Sequence, residues 1–166
     1  MRNSIIFSFL SILSIFSVGA DLPNPKITPG AINSDVTQFN IMSTVCKKGY
    51  TKSIRPPANF SNKLKRRQIE QYGYANVRMK DYEEDHLIAL SIGGNPTNER
   101  NLWPQPRNSQ WGAAEKDHLE AVMLKMLCRN EITLSQAQSE MANDWISAYK
   151  RYVRTGSKFR DNAKVD

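Results

Sequence analysis

The 166-residue chain has two cysteines, Cys46 and Cys128, and two histidines, His86 and His118. Scattered so far apart, they lack the spacing of a structural zinc site, which excludes that class. No long apolar run follows the first twenty residues, so nothing beyond them reads as a membrane span. Internal repeats are absent too, and the length fits one domain. Acids are the scarcer charge: 16 Asp and Glu stand against 23 Lys and Arg, for a formal charge of +7. A basic balance suits a polyanionic partner such as nucleic acid, an anionic membrane surface or the cell wall, without separating them.

The first twenty residues read as a secretory signal. Arg2 supplies the positive start, Ile5 to Val18 is apolar apart from serines, and Val18-Gly19-Ala20 offers small residues for cleavage before Asp21. The mature chain is then expected to be secreted or periplasmic, without stable membrane insertion, with an uncleaved anchor as the alternative. Losing Arg2 lowers the formal charge from +7 to +6. An oxidising compartment makes a Cys46–Cys128 disulfide the natural reading, with two buried thiols as the alternative. Such a closure stabilises by about 4 kcal/mol in the chain-entropy model.

Residues 21–37, with three prolines and a glycine, read as a flexible arm; 38–154 is the expected domain and 155–166 a basic tail. Ser61 is the expected N-cap of a helix carrying Leu64, Ile69 and Tyr72, with Gly73 placed to end it. Its polar face holds Lys63, Lys65, Arg66 and Arg67, the densest basic cluster, which reads either as a solvated face or as phosphate contact. His86 to Ile92 is expected to be a strand, Gly93-Gly94-Asn95-Pro96 a turn, and Asn98 to Trp103 a returning strand. Trp103-Pro104-Gln105-Pro106 is expected to break the ladder, because two of the four residues lack the backbone donor. Ala113 to Cys128 places Leu119, Val122, Met123, Met126 and Leu127 on one helical face. Thr133 has the form of an N-cap with Gln136 reaching back, and Ala137, Met141, Trp145 and Tyr149 form a core stripe behind it.

Asp85-His86 carries the chemistry of interest. Alone, the pair reads as a strand edge beside solvated acids. In its setting, a carboxylate can hold a cation while the imidazole takes a proton, as phosphodiester hydrolysis requires. Three stretches carry a resemblance: Tyr82-Glu83-Glu84-Asp85-His86-Leu87-Ile88-Ala89-Leu90-Ser91-Ile92-Gly93-Gly94, Asn101-Leu102-Trp103-Pro104-Gln105-Pro106, and Lys116-Asp117-His118-Leu119-Glu120. With them the chain resembles the HNH endonucleases of the His-Me finger (ββα-metal) superfamily, and more narrowly secreted bacterial HNH or HNN-type nucleases.

The resemblance implies an α+β fold, a small ββα-metal core at about residues 81–128 with additional packed helices, mostly helical overall. It implies a general base at His86, a metal ligand at Asp85, and at Asn101 the asparagine that braces the loop and orients the histidine. The second metal ligand is open between Asp117 and Asn108, with His118 ranked last. The expected cofactor is a divalent metal, Mg2+ before Mn2+, and the expected partner is DNA, cut by a monomer with little sequence preference. Attack by water activated by His86 would leave 5′-phosphate and 3′-hydroxyl ends. Arg100 and Arg107 are candidate phosphate clamps beside Lys63, Arg66 and Arg67. Lys116 and Glu120, four apart on a helix, read as a surface ion pair. The competing reading is an inactive module that binds nucleic acid or an envelope polyanion.

Overall fold

Two short strands and the helices on either face of them set the geometry of the molecule. The computed structural model describes residues 21–161. It combines helices with a small two-stranded antiparallel sheet, a mixed α+β arrangement. Residues 1–20, expected as a secretory signal, and 162–166, the end of the expected basic tail, lie outside the described residues. In chain order the elements are α1 (Tyr50–Ile54), α2 (Ala58–Gln71), β1 (Tyr82–His86), β2 (Leu102–Pro106), α3 (Ala113–Cys128) and α4 (Leu134–Asp161). Among the described residues no helix is long and apolar enough to cross a membrane.

Strand β2 contains both prolines that were expected to end it. Their tolerance follows from the register, which pairs Glu84 with Pro104 and Tyr82 with Pro106. The flanking bonds from the Arg107 amide to the Asp81 carbonyl and from the Leu87 amide to the Asn101 carbonyl fix which pairs exchange hydrogen bonds. Counting inward from them by twos, Glu83–Gln105 and Asp85–Trp103 are bonded pairs, and both prolines fall between. Their missing N–H groups would have pointed away from β1, so the ladder loses nothing.

The expected strand from His86 to Ile92 is not formed. β1 ends at His86, and Leu87 to Ile92 is a buried loop closed by a single 3-10 turn at Leu90–Ile92. Its apolar run reflects burial in the core. Leu87, Ile88, Ala89 and Ile92 pack with Trp103, with Leu119, Met123 and Leu127 of α3, and with Ala137, Met141 and Trp145 of α4. Gly94 permits this crossing, because a Cβ there would stand 1.7 Å from the Ile88 carbonyl oxygen.

Residues 21–37 are bound into the fold, in place of the expected flexible arm. Thr28 is buried and donates to the Leu102 carbonyl, the Gly30 amide donates to Arg100 O, and Ile32 bridges Gly94. The arm thus packs beside the start of β2 and along the Gly93–Asn95 turn.

The remaining helices form for local reasons. α2 starts at Ala58, three residues before the expected cap, because Pro57 is pre-set for a helix entrance. Gly73, at φ +68°, ends α2 with the Tyr74 amide returning to the Ile69 carbonyl. Thr133 Oγ1 accepts from the Gln136 amide at 3.1 Å, as its capping pattern implies, while the Gln136 side chain turns to Glu140 and Tyr152. α4 kinks at Asp144, whose carboxylate caps the continuing helix through the Ser147 amide. The backbone stays helical to Asp161, into the segment expected as a basic tail. A disulfide joins Cys46 to Cys128, with Cα atoms 5.8 Å apart, and ties the segment before α1 to the end of α3.

Candidate active site beside His86

His86 is set by the turn that follows it. Its ring is 4% exposed, and Nε2 lies 2.9 Å from the Pro96 carbonyl oxygen. A carbonyl can only accept, so Nε2 carries the proton and Nδ1 is left with a lone pair. Burial lowers the His86 pKa below the ordinary histidine value, outweighing the Pro96 bond and the Asp85 charge, and Lys116 and Arg55 lower it further. The ring is therefore neutral near pH 7 and able to accept a proton.

Asn101 holds that turn in place. It is fully buried, and its Oδ1 accepts from the Ile88 amide (3.0 Å) and the Ala31 amide (3.3 Å). Its Nδ2 donates to the Ile88 and Asn95 carbonyls, both at 3.0 Å. The Asn95 side chain in turn accepts from the Thr97 and Asn98 amides. One amide side chain thereby replaces the ladder that the Leu87–Ile92 segment lacks, and it fixes the peptide next to the Pro96 carbonyl that orients His86.

Asp85 has a partner that the sequence reading placed elsewhere. Lys116, expected on the surface of α3, is 0% exposed. Its ammonium donates to Asp85 Oδ2 at 2.6 Å, to the His86 carbonyl at 2.7 Å, and to Glu120. The surface-pair expectation failed because Lys116 lies on the buried face of α3, in phase with Ala113, Leu119, Met123 and Leu127. That phase was the available signal. Burial alone would lower the ammonium's pKa, but Asp85 and Glu120 together hold it above the ordinary lysine value. Burial, with Asp85 adding to it, pushes the Glu120 carboxyl up against the pull of Lys116.

Alternation along β1 turns Glu84 and His86 to one face and Glu83 and Asp85 to the other. α2 lies on the first face, where Lys65 donates to the Tyr82 carbonyl and Gln68 to the Leu102 carbonyl. α3 lies on the second. His86 and Glu84 line a cleft of about 320 Å³ with Arg55, Ser61, Asn62 and Lys65. Both Glu84 oxygens are shielded from solvent without a hydrogen-bond partner, and burial pushes this carboxyl up to about 8. Glu84 is therefore neutral near pH 7. A neighbouring cleft of about 220 Å³ is lined by Arg55, Asp117 and Glu120.

The two candidates for a second metal ligand part company. Burial, with the Asp85 charge adding to it, raises the Asp117 pKa, while Lys116, Arg55 and Arg107 lower it. Asn108 follows β2 past Pro106, which pairs with Tyr82, and lines a separate cleft with Asn76, Arg78 and Asp81. Four residues of strand, roughly 13 Å, separate that end from His86. The antiparallel register thus keeps Asn108 away from Asp85. His118 is exposed and sets its ring edge-on to Tyr149 of α4, away from the carboxylates.

Of the basic candidates, Arg107 pairs with Glu83 and Arg67 with Glu99, while Lys63, Arg66 and Arg100 are exposed and line neither of the two clefts. The cation that does line both is Arg55, which sequence reasoning passed over. Among the described residues no three His, Cys, Asp or Glu side chains converge as a metal cage. Compared with known proteins, the chain matches no family model, no curated protein and no solved structure.

Proposed function

We propose that the protein is a secreted or periplasmic metal-dependent endonuclease of the HNH, ββα-metal type, hydrolysing DNA phosphodiester bonds with His86 as general base. The observation that carries this reading is the His86 tautomer: Nε2 engaged by Pro96 O, Nδ1 left as acceptor, and burial keeping the ring neutral. A water held at Nδ1 would give up its proton as it attacks phosphorus in line, leaving 5′-phosphate and 3′-hydroxyl ends. Asn101 acts as a positioning residue through the turn it braces. The strand–strand–helix order of β1, β2 and α3, with Asp85 preceding the base in sequence, supports the same class. The disulfide fits the oxidising compartment.

The donor chemistry at Asp85 and Asp117 fits a hard divalent cation such as Mg2+, which usually keeps several waters and takes only one or two protein carboxylates. Bound there, it would supply positive charge to a phosphate oxygen. Asp85 has one oxygen on Lys116, which leaves Oδ1 for such a ligand. The same ion pair favours a second reading, a module that binds nucleic acid without cutting it, because Lys116 already neutralises much of the carboxylate charge.

Supercoiled plasmid separates the two. The endonuclease reading expects nicking by the wild type with Mg2+ or Mn2+, none with EDTA, and a loss of about 10²- to 10⁴-fold in His86→Ala with DNA affinity kept. Binding without cleavage under every divalent metal would favour the module. Metal-dependent nicking by His86→Ala at the wild-type rate would remove His86 as the base.

A further inference from the structure

We propose that the cleft between β1 and α2 is a seat for a phosphate of the nucleic-acid backbone, with Arg55 as its docking cation and Lys65 as its second positive wall. The proposal deepens the nuclease reading and rests on it for the identity of the substrate.

Arg55 is distinguished by position. Arg67, Arg78, Arg107, Arg129 and Arg151 each pair with a carboxylate, whereas Arg55, Arg66 and Arg100 are exposed and form no salt bridge among the described residues, and of these three only Arg55 lines the clefts. It lines both the cleft that holds His86 and the one that holds Asp117, so a backbone reaching from one to the other passes it. Its main chain is fixed at φ −64° and ψ 129°, the extended region imposed on a residue before proline. That anchors a long side chain at its root and reduces the entropy lost on binding. A guanidinium can meet two phosphate oxygens at once, which an ammonium cannot.

The other walls agree. Lys65 uses one N–H on the Tyr82 carbonyl, leaving two others. Ala58 and Ser61 bring the first turns of α2, and with them the positive end of its dipole, to the same cleft. The one acid in the wall, Glu84, keeps both oxygens out of solvent. The polar groups that reach solvent are thus cationic or neutral.

The test is binding of a fluorescein-labelled 12-base-pair DNA duplex in EDTA across a salt series, followed by Mg2+-dependent cleavage. Wild type, Arg55→Ala, Arg55→Lys and the exposed α1 control Lys52→Ala are compared. Arg55→Ala should weaken binding at least tenfold and reduce the salt slope by about one phosphate contact. Arg55→Lys should recover part of the affinity, and Lys52→Ala little changed from wild type. Equal binding and cleavage by Arg55→Ala and wild type would overturn the seat and leave the nuclease reading standing. Equal losses in Arg55→Ala and Lys52→Ala would overturn it too, by showing a diffuse field. An Arg55-dependent affinity without cleavage under any metal would support the seat and remove the nuclease reading. No measurable binding by the wild type would overturn both.

Discussion

Replacing Lys116 by methionine keeps the volume and the helix but deletes the ammonium between Asp85, Glu120 and the His86 carbonyl. All three acceptors then lose their donor in a space that Lys116 fills completely, at 0% exposure. Breaking a buried ion pair by removing one partner costs about 3–5 kcal/mol, because the other charge stays behind. The orphaned carbonyl belongs to the same penalty, since its own loss, about 1–3 kcal/mol, is not additive with the first. For a domain of this size about 3–5 kcal/mol corresponds to a Tm lower by roughly 10–20 °C. The deficit should depend on pH with a definite sign. Glu120, already pushed up by burial, would rise further without its cation. A group whose folded pKa is raised contributes stability below its unfolded value that is lost as pH rises through the folded one. The variant should therefore fall furthest behind wild type near pH 7–8 and recover towards pH 4, where the Glu120 carboxyl is protonated. Adding Asp85→Asn and Glu120→Gln to Lys116→Met should restore much of the loss at pH 7. Thermal melts followed by far-ultraviolet circular dichroism at pH 4, 5.5 and 7 decide the matter. A Tm loss under about 3 °C at pH 7, or one that is equal at pH 4 and 7, would refute this account of the ammonium.

Asn101→Ala should cost about 3–5 kcal/mol in urea unfolding, since it orphans buried groups of Ile88, Ala31 and Asn95 together. Faster hydrogen exchange at the Ile88 amide should accompany it, and wild-type protection there would argue against the brace. Glu84 gives the opposite experiment: with its carboxyl at about 8, its contribution to stability is complete below about pH 4.5 and fades as pH rises through 8. Glu84→Gln should match wild type at pH 5 and exceed it at pH 9, by a few kcal/mol on the order given by the shift. Parallel stability curves from pH 5 to 9 would show that Glu84 is not held neutral.

What could be read along the chain was whatever depends on neighbours in sequence. The span of α3 came from apolar spacing, the stop after α2 from Gly73, and the start of α4 from the Thr133 hydroxyl, all effects within one or two helical turns. The Cys46–Cys128 pairing followed from compartment and number. Asn101 satisfies its amide on the Ile88, Ala31 and Asn95 backbone, because a buried asparagine between a short strand and a turn has few other ways to do so.

Other features turned on what packs against what. Pro104 and Pro106 join a ladder because the register puts their nitrogens on the outer edge. Leu87 to Ile92 is apolar because helices cover it, and pleating has no part in that. Residues 21–37 look like a tether by composition, yet Arg100 and the Gly93–Asn95 turn give their backbone partners. Lys116 shows the difference most plainly. Residue type puts a lysine in water, and only the convergence of Asp85, Glu120 and the His86 carbonyl makes its burial affordable. Local chemistry determined which residues could do acid–base work and where helices stop. The tertiary structure decided which charges meet, because desolvation and pairing depend on distances through space that the order of residues does not contain.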